Sequence, residues 1–153
     1  MLKIGDKAPL FELLDKNNQK VRLKDFKEKK VVLYFYPKDM TSGCTQEACD
    51  FRDAFPAFNK LKAVVLGISA DSVSSHIKFA DKYELPFTLL SDENKEVVEK
   101  YGVWKEKSMY GKKYMGIERT TFIIDGNGII KNIFAKVKVD GHVEEVMKAL
   151  GEI

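Results

Sequence analysis

The longest apolar run is Val31, Val32, Leu33, Tyr34, Phe35 and Tyr36, closed by Pro37. An unbroken β-branched and aromatic run of this kind predicts a strand buried on both faces, and a proline without an N–H ends it. Ala63 to Ser69 repeats the pattern and predicts a second central strand. Shorter runs at Phe87 to Leu90, after Pro86, and at Thr120 to Ile124 predict two more. Ile129 to Phe134 reads as the antiparallel partner of the last, across a tight turn at Asp125 to Gly128. Upstream, apolar and polar positions alternate from residue 11 to residue 23 around a turn at Asp15 to Asn18, which predicts a small hairpin followed by a brief turn at Leu23 to Phe26.

Helical spacing fills the gaps. Ala48, Phe51, Ala54, Phe55 and Phe58 mark one apolar face of a helix that opens near residue 43, with Thr41 or Ser42 as its cap. Pro56 falls inside this pattern and is expected to kink or end it. Asp71 and Ser72 are placed to cap a helix through Tyr83, Asp92 to start one over 94–101 that stops at Gly102, and residues 140–150 carry a last amphipathic turn set. Residues 103–118 are polar and contain glycines, and are read as a long irregular surface excursion. The order hairpin, β, α, β, α, β, α, β, β, α predicts an α/β fold of thioredoxin-like organisation: a central mixed β-sheet flanked by helices, with an amino-terminal β-hairpin extension, all in one domain spanning 1–153.

Composition narrows the function. The chain has 153 residues, 44% of them hydrophobic, enough for one continuous core. Its formal charge is +3, from 26 basic and 23 acidic residues intermixed along the chain, which argues against a nucleic-acid surface because phosphate binding needs a clustered basic footprint. No apolar segment is long enough to span a bilayer, and MLKIGDKAPL lacks the apolar stretch of a signal peptide, so no membrane association is expected. Two cysteines do not make a disulfide scaffold; they fit a redox role in a reducing compartment, the cytoplasm. His76 and His142 share no ligand spacing with them, so no metal site is expected.

Both cysteines fall just past the first strand. Cys44 lies in the first turn of the expected helix, where free N–H groups and the helix dipole favour a thiolate, and the polar approach Lys38 to Gly43 suggests access from solvent. On an intact helix a five-residue offset puts the Cα atoms of Cys44 and Cys49 about 8.7 Å apart. Disulfide geometry needs less than about 7 Å, so a bond between them requires the first turns to unwind. From the residues alone, Cys44 and Cys49 can also be read as small buried side chains, Thr41 as a plain cap, Pro37 as a strand terminator and Arg119 as half of a surface ion pair.

The segment PKDMTSGCTQEAC resembles the active-site run of peroxiredoxins, with Pro37, Thr41 and Cys44 in the family's spacing. Cys49 resembles the resolving thiol of the bacterioferritin comigratory, or peroxiredoxin Q, branch, and KFADKYELPFTLLSD and ERTTFIID extend the likeness over nearly the whole chain. The resemblance implies reduction of hydrogen peroxide and alkyl hydroperoxides without metal or flavin cofactor, recharging by thioredoxin or a related dithiol, and a monomer. It also implies roles: Cys44 as peroxidatic thiolate, Cys49 as resolving thiol, Thr41 as hydrogen-bond donor to thiolate and peroxide, Pro37 as shield, Arg119 as the cation holding the thiolate and polarising the peroxide, and Glu47 as the group orienting that arginine. Met40 and Ser42 depart from the branch's usual residues, which bears on how readily the helix unwinds. Two other functions fit the cysteines: a thiol-disulfide oxidoreductase acting on proteins, which would favour a two-residue gap, and a non-enzymatic redox sensor or holdase, which would oxidise stoichiometrically.

Overall fold

A computed structural model describes all 153 residues. Nine strands and four α-helices follow in the order β1 (Glu12–Leu14), β2 (Lys20–Arg22), a 3₁₀ turn (Leu23–Phe26), β3 (Lys30–Phe35), α1 (Ser42–Lys60), β4 (Ala63–Ser69), α2 (Val73–Tyr83), β5 (Thr88–Ser91), α3 (Glu96–Lys100), β6 (Trp104–Met109), β7 (Lys112–Ile117), β8 (Thr120–Ile124), β9 (Ile130–Phe134) and α4 (His142–Gly151). Seven strands form one mixed sheet in the order β2-β1-β5-β4-β3-β8-β9. β3 runs parallel to β4 and antiparallel to β8, with Phe35 opposite Thr120. The amino-terminal hairpin adds to the sheet beside β5 through Leu14 and Ser91.

Alternation along β3 divides the core. Val32, Tyr34 and Tyr36 point to the face covered by Phe51 and Phe58 of α1, Phe79 of α2 and Val146 of α4. Val31, Leu33 and Phe35 point to the other face, packed by Val97 and Val98 of α3, Leu23, Phe122 and Ile130. Central strands buried on both sides therefore show unbroken apolar runs, as the sequence pattern requires.

Three expectations are revised: the ending of α1 at Pro56, the irregularity of residues 103–118 and the bounds of the helix at 94–101. Pro56 neither ends α1 nor shortens it, since the helix continues to Lys60. A proline inside a helix costs about 3 kcal/mol, but Phe51 and Phe58 on either side of it are fully buried, and burying each contributes about 1.5–3 kcal/mol. Residues 103–118 are not irregular: β6 and β7 pair antiparallel from Trp104 with Ile117 to Met109 with Lys112, and form a sheet of their own. The turn places Tyr110 at φ 52° and Gly111 at φ 77°, the positive pair that a two-residue hairpin turn requires. Much of the ribbon lies open to solvent, so no buried face imposes alternation on its sequence. The expected helix at 94–101 contracts to Glu96–Lys100, with Asp92 Oδ2 accepting from the Val98 N–H at 2.8 Å. No helix is long and apolar enough to cross a membrane.

Candidate active site

β3 ends at Phe35, although the Tyr36 N–H still bonds the Ile68 carbonyl at 3.1 Å. Pro37 has no N–H with which to continue the ladder, and the chain leaves the sheet in the loop 37–41. Thr41 then takes the extended N-cap position of α1 and its carbonyl accepts from the Thr45 N–H at 2.8 Å. Neither Thr41 nor Ser42 caps the helix through its side chain; the Thr41 hydroxyl donates instead to the Lys38 carbonyl at 2.8 Å. It makes no hydrogen bond to sulfur in this arrangement.

Cys44 is in the first turn of α1, as expected, but the sulfur is not open to water: the residue is 2% exposed and packs with the core on the α1 face. The approach through Lys38, Met40, Thr41 and Ser42 is exposed; the thiol at its end is covered. Cys49, half-buried one and a half turns on, is on the same intact helix, and both thiols are free.

Arg119 reaches this turn from a distant part of the chain. Because β8 is antiparallel to β3 and Thr120 lies opposite Phe35, the residue before β8 falls at the carboxyl end of β3, where α1 begins. Its neighbours are pinned: the Glu118 N–H donates to the Val103 carbonyl at 2.8 Å and the Val137 N–H to the Arg119 carbonyl at 3.0 Å. The guanidinium then divides its donors, Nη2 to Cys44 Sγ at 3.3 Å and Nη1 to Glu47 Oε1 at 2.6 Å. Burial lowers the arginine's proton affinity, yet Glu47 and Cys44 raise it further, and the net direction is upward. The cation is therefore permanent here.

Glu47 is fully buried, and its second oxygen, Oε2, has no hydrogen-bond partner. Burial accordingly pushes its carboxyl up to about 7, against the opposing pull of Arg119. The Tyr34 hydroxyl is likewise buried without a partner, and burial, then the charges of Glu47 and Cys44, hold the phenol well above its ordinary range.

Three features of the site were not anticipated from sequence. Gly43 lies under the guanidinium, where a Cβ would stand 3.2 Å from Arg119 Nη2, so the arginine crosses the helix where a side chain is missing. Lys107 on β6 is lowered by burial and by Arg119, with Cys44 and Glu118 acting in the opposite sense, which puts it in the field of the same pair. Asp39, in the loop before Thr41, is buried and bonded to His76 at 2.7 Å. A glycine in the first turn of a helix was a readable signal for Gly43; the other two depend on tertiary contacts.

A family model described as the AhpC/TSA family matches residues 4–133. The chain is 50% identical over 152 residues to peroxiredoxin Bcp of Bacillus subtilis, covering 99% of this chain and 97% of that protein. It is 47% identical over 151 residues to peroxiredoxin Bcp of Escherichia coli K12, with the same coverage. Among solved structures it is similar to a cysteine-to-serine mutant of PrxQ from Xylella fastidiosa, with a TM-score of 0.94 and 38% identity over 99% of this chain and 97% of that one. BcpB of Mycobacterium tuberculosis is also similar, with a TM-score of 0.89 and 36% identity over 100% and 99% of the two chains.

Proposed function

Since this chain belongs to the peroxiredoxins of the Bcp or PrxQ kind, which are thiol-dependent peroxidases, we propose that Cys44 is its peroxidatic cysteine and Cys49 the thiol that resolves it. The observation that carries this assignment is the guanidinium of Arg119 shared between Cys44 Sγ and the buried Glu47 at the start of α1.

The chemistry follows from charge. The Cys44 thiolate attacks the distal oxygen of hydrogen peroxide or an alkyl hydroperoxide; an S–O bond forms, the O–O bond breaks, and the departing oxygen leaves with the electron pair and takes up a proton as water or an alcohol. Arg119 holds the thiolate in place and stabilises the negative charge developing on the peroxide oxygens, an effect that is larger in a site with little water. Glu47 holds Arg119 in the orientation that serves both. Thr41, whose hydroxyl donates to the Lys38 carbonyl, is in this reading a further hydrogen-bond donor for the peroxide once it rotates away from that carbonyl, and Pro37 screens the pocket.

Cys44 is then a sulfenic acid. Condensation with the Cys49 thiol forms a disulfide and releases water, but both residues lie on one helix, so the first turns of α1 must open beforehand. An external dithiol, thioredoxin or a relative, reduces the disulfide by exchange. Repeated turnover needs a compartment that supplies such a reductant, in our reading the cytoplasm, and the contacts among Cys44, Glu47 and Arg119 all lie within one chain, which is compatible with a monomer. The test is peroxide consumption with and without a thioredoxin system while mass spectrometry locates the oxidised sulfur. Oxidation first at Cys49, or no turnover with any dithiol, would overturn the assignment.

A further inference from the structure

Between Tyr36 and Cys44 only Asp39 is buried; Pro37 and Gly43 are half-covered, and Lys38, Met40, Thr41 and Ser42 are exposed. The loop that delivers the start of α1 is therefore fastened to the body of the protein at one residue, and the fastening is polar. Asp39 Oδ1 accepts from the Tyr36 hydroxyl at 2.6 Å; Oδ2 accepts from Ser75 Oγ at 2.7 Å and bonds His76 Nδ1 at 2.7 Å. The Asp39 N–H donates to Asp71 Oδ2 at 2.8 Å, and Asp71 Oδ2 is held in turn by Ser69 Oγ at 2.7 Å. His76 is fully buried, and its Nε2 lies 3.0 Å from the Leu90 carbonyl, which only accepts, so Nε2 is the donor there while Nδ1 faces Asp39.

Ligand-type atoms of Asp39, Asp71 and His76 lie within 4.8 Å of one another. The carboxylate oxygens that face inward are already engaged by N–H and O–H donors, so the cluster is a closed hydrogen-bond network. Its reach is what matters: one strand end, one loop and α2 converge on a single residue two positions ahead of the N-cap of α1, and β5 joins them through His76. Met40, next in sequence, has φ +66°, an uncommon conformation for a methionine, and is exposed.

Building on the assignment of Cys44 and Cys49 above, we propose that Asp39 and His76 are positioning residues: their buried pair clamps the loop 37–41 so that α1 starts where Cys44 meets Arg119, and sets how readily that start unwinds. The clamp favours the closed arrangement needed for attack on peroxide and opposes the open one needed for the disulfide. Weakening it therefore moves the two half-reactions in opposite directions, whereas general damage to the fold does not.

The test uses Asp39→Asn and His76→Asn, the latter keeping an N–H near the Nδ1 position, together with Ser75→Ala, which removes one donor without stranding a buried charge. Val98→Ala, on the opposite face of the sheet, serves as a control for lost stability. Oxidation of Cys44 is timed by stopped flow in the Cys49→Ser background, and disulfide formation by quenched alkylation and mass spectrometry in the two-cysteine protein. Loosening the loop is expected to slow oxidation about tenfold in Asp39→Asn and to speed disulfide formation about threefold, with smaller shifts of the same signs in Ser75→Ala and His76→Asn. Should Asp39→Asn fail to fold, Ser75→Ala decides. Rates equal to wild type, both rates falling together, or the same opposed shifts in Val98→Ala overturn the clamp; a wild-type protein that leaves peroxide unreduced overturns the peroxidase assignment instead.

Discussion

Arg119 Nη2 lies 3.3 Å from Cys44 Sγ although the two residues are 75 positions apart. The contact puts a permanent cation beside the sulfur and beside any oxygen that the sulfur attacks. Arg119→Ala is expected to slow the reaction with peroxide by about 10²-fold or more, the effect of losing one charge-stabilising donor. Arg119→Lys retains charge but not the fork that serves Cys44 and Glu47 together, so it should recover only part of the rate. Stopped-flow oxidation of the Cys49→Ser protein measures both.

The two cysteines should separate cleanly. Cys44→Ser is expected to abolish peroxide turnover. Cys49→Ser is expected to leave the first oxidation near its wild-type rate and to stop recycling by thioredoxin, with a sulfenic acid trapped on Cys44. Steady-state turnover and intact-mass measurement after one equivalent of peroxide distinguish these outcomes.

Gly43 separates stability from activity. Its backbone is not in the left-handed region, and a Cβ there would stand 3.2 Å from Arg119 Nη2. Gly43→Ala should favour the helix by up to about 1 kcal/mol, less whatever it costs to displace the guanidinium. The variant is expected to be no less stable to urea, yet about tenfold slower with peroxide, because a small displacement of a positioned group is costly in rate.

Glu47 makes stability depend on pH in a defined window. Its carboxyl is raised from 4.5 to about 7 by burial, so between those values the folded state keeps a proton that the unfolded state has released. Its contribution is complete below pH 4.5 and is lost as pH rises through about 7. The urea-derived stability of wild type relative to Glu47→Gln should therefore decline across that window, by at most about 1.4 kcal/mol per pH unit. A flat difference would show that the ion pair with Arg119 overrides burial.

Much of the architecture was legible because burial on both sides leaves a pattern in the chain. The runs at 31–36 and 63–69, the apolar spacing of Phe51 and Phe58, and the turn at Asp125 to Gly128 all correspond to elements that were found. The hairpin at 104–117 was not legible, since a ribbon largely open to water has no reason to alternate. Pro56 misled for a related reason: helix breaking is a local penalty, and two buried phenylalanines outweigh it only once the sheet is there to receive them.

What the chain determined by itself was local: which segments are apolar, where a thiol meets the start of a helix, and how far Cys49 lies from Cys44 along it. What only the tertiary structure decided was which charges surround that thiol. Arg119 comes to Cys44 through the antiparallel pairing of β8 with β3, and Asp39 comes to His76 through the packing of α2 beside the end of β3. Pairing between strands far apart in sequence, and the need to satisfy every buried polar group, act on the folded chain as a whole and leave no periodic signal at the residues involved.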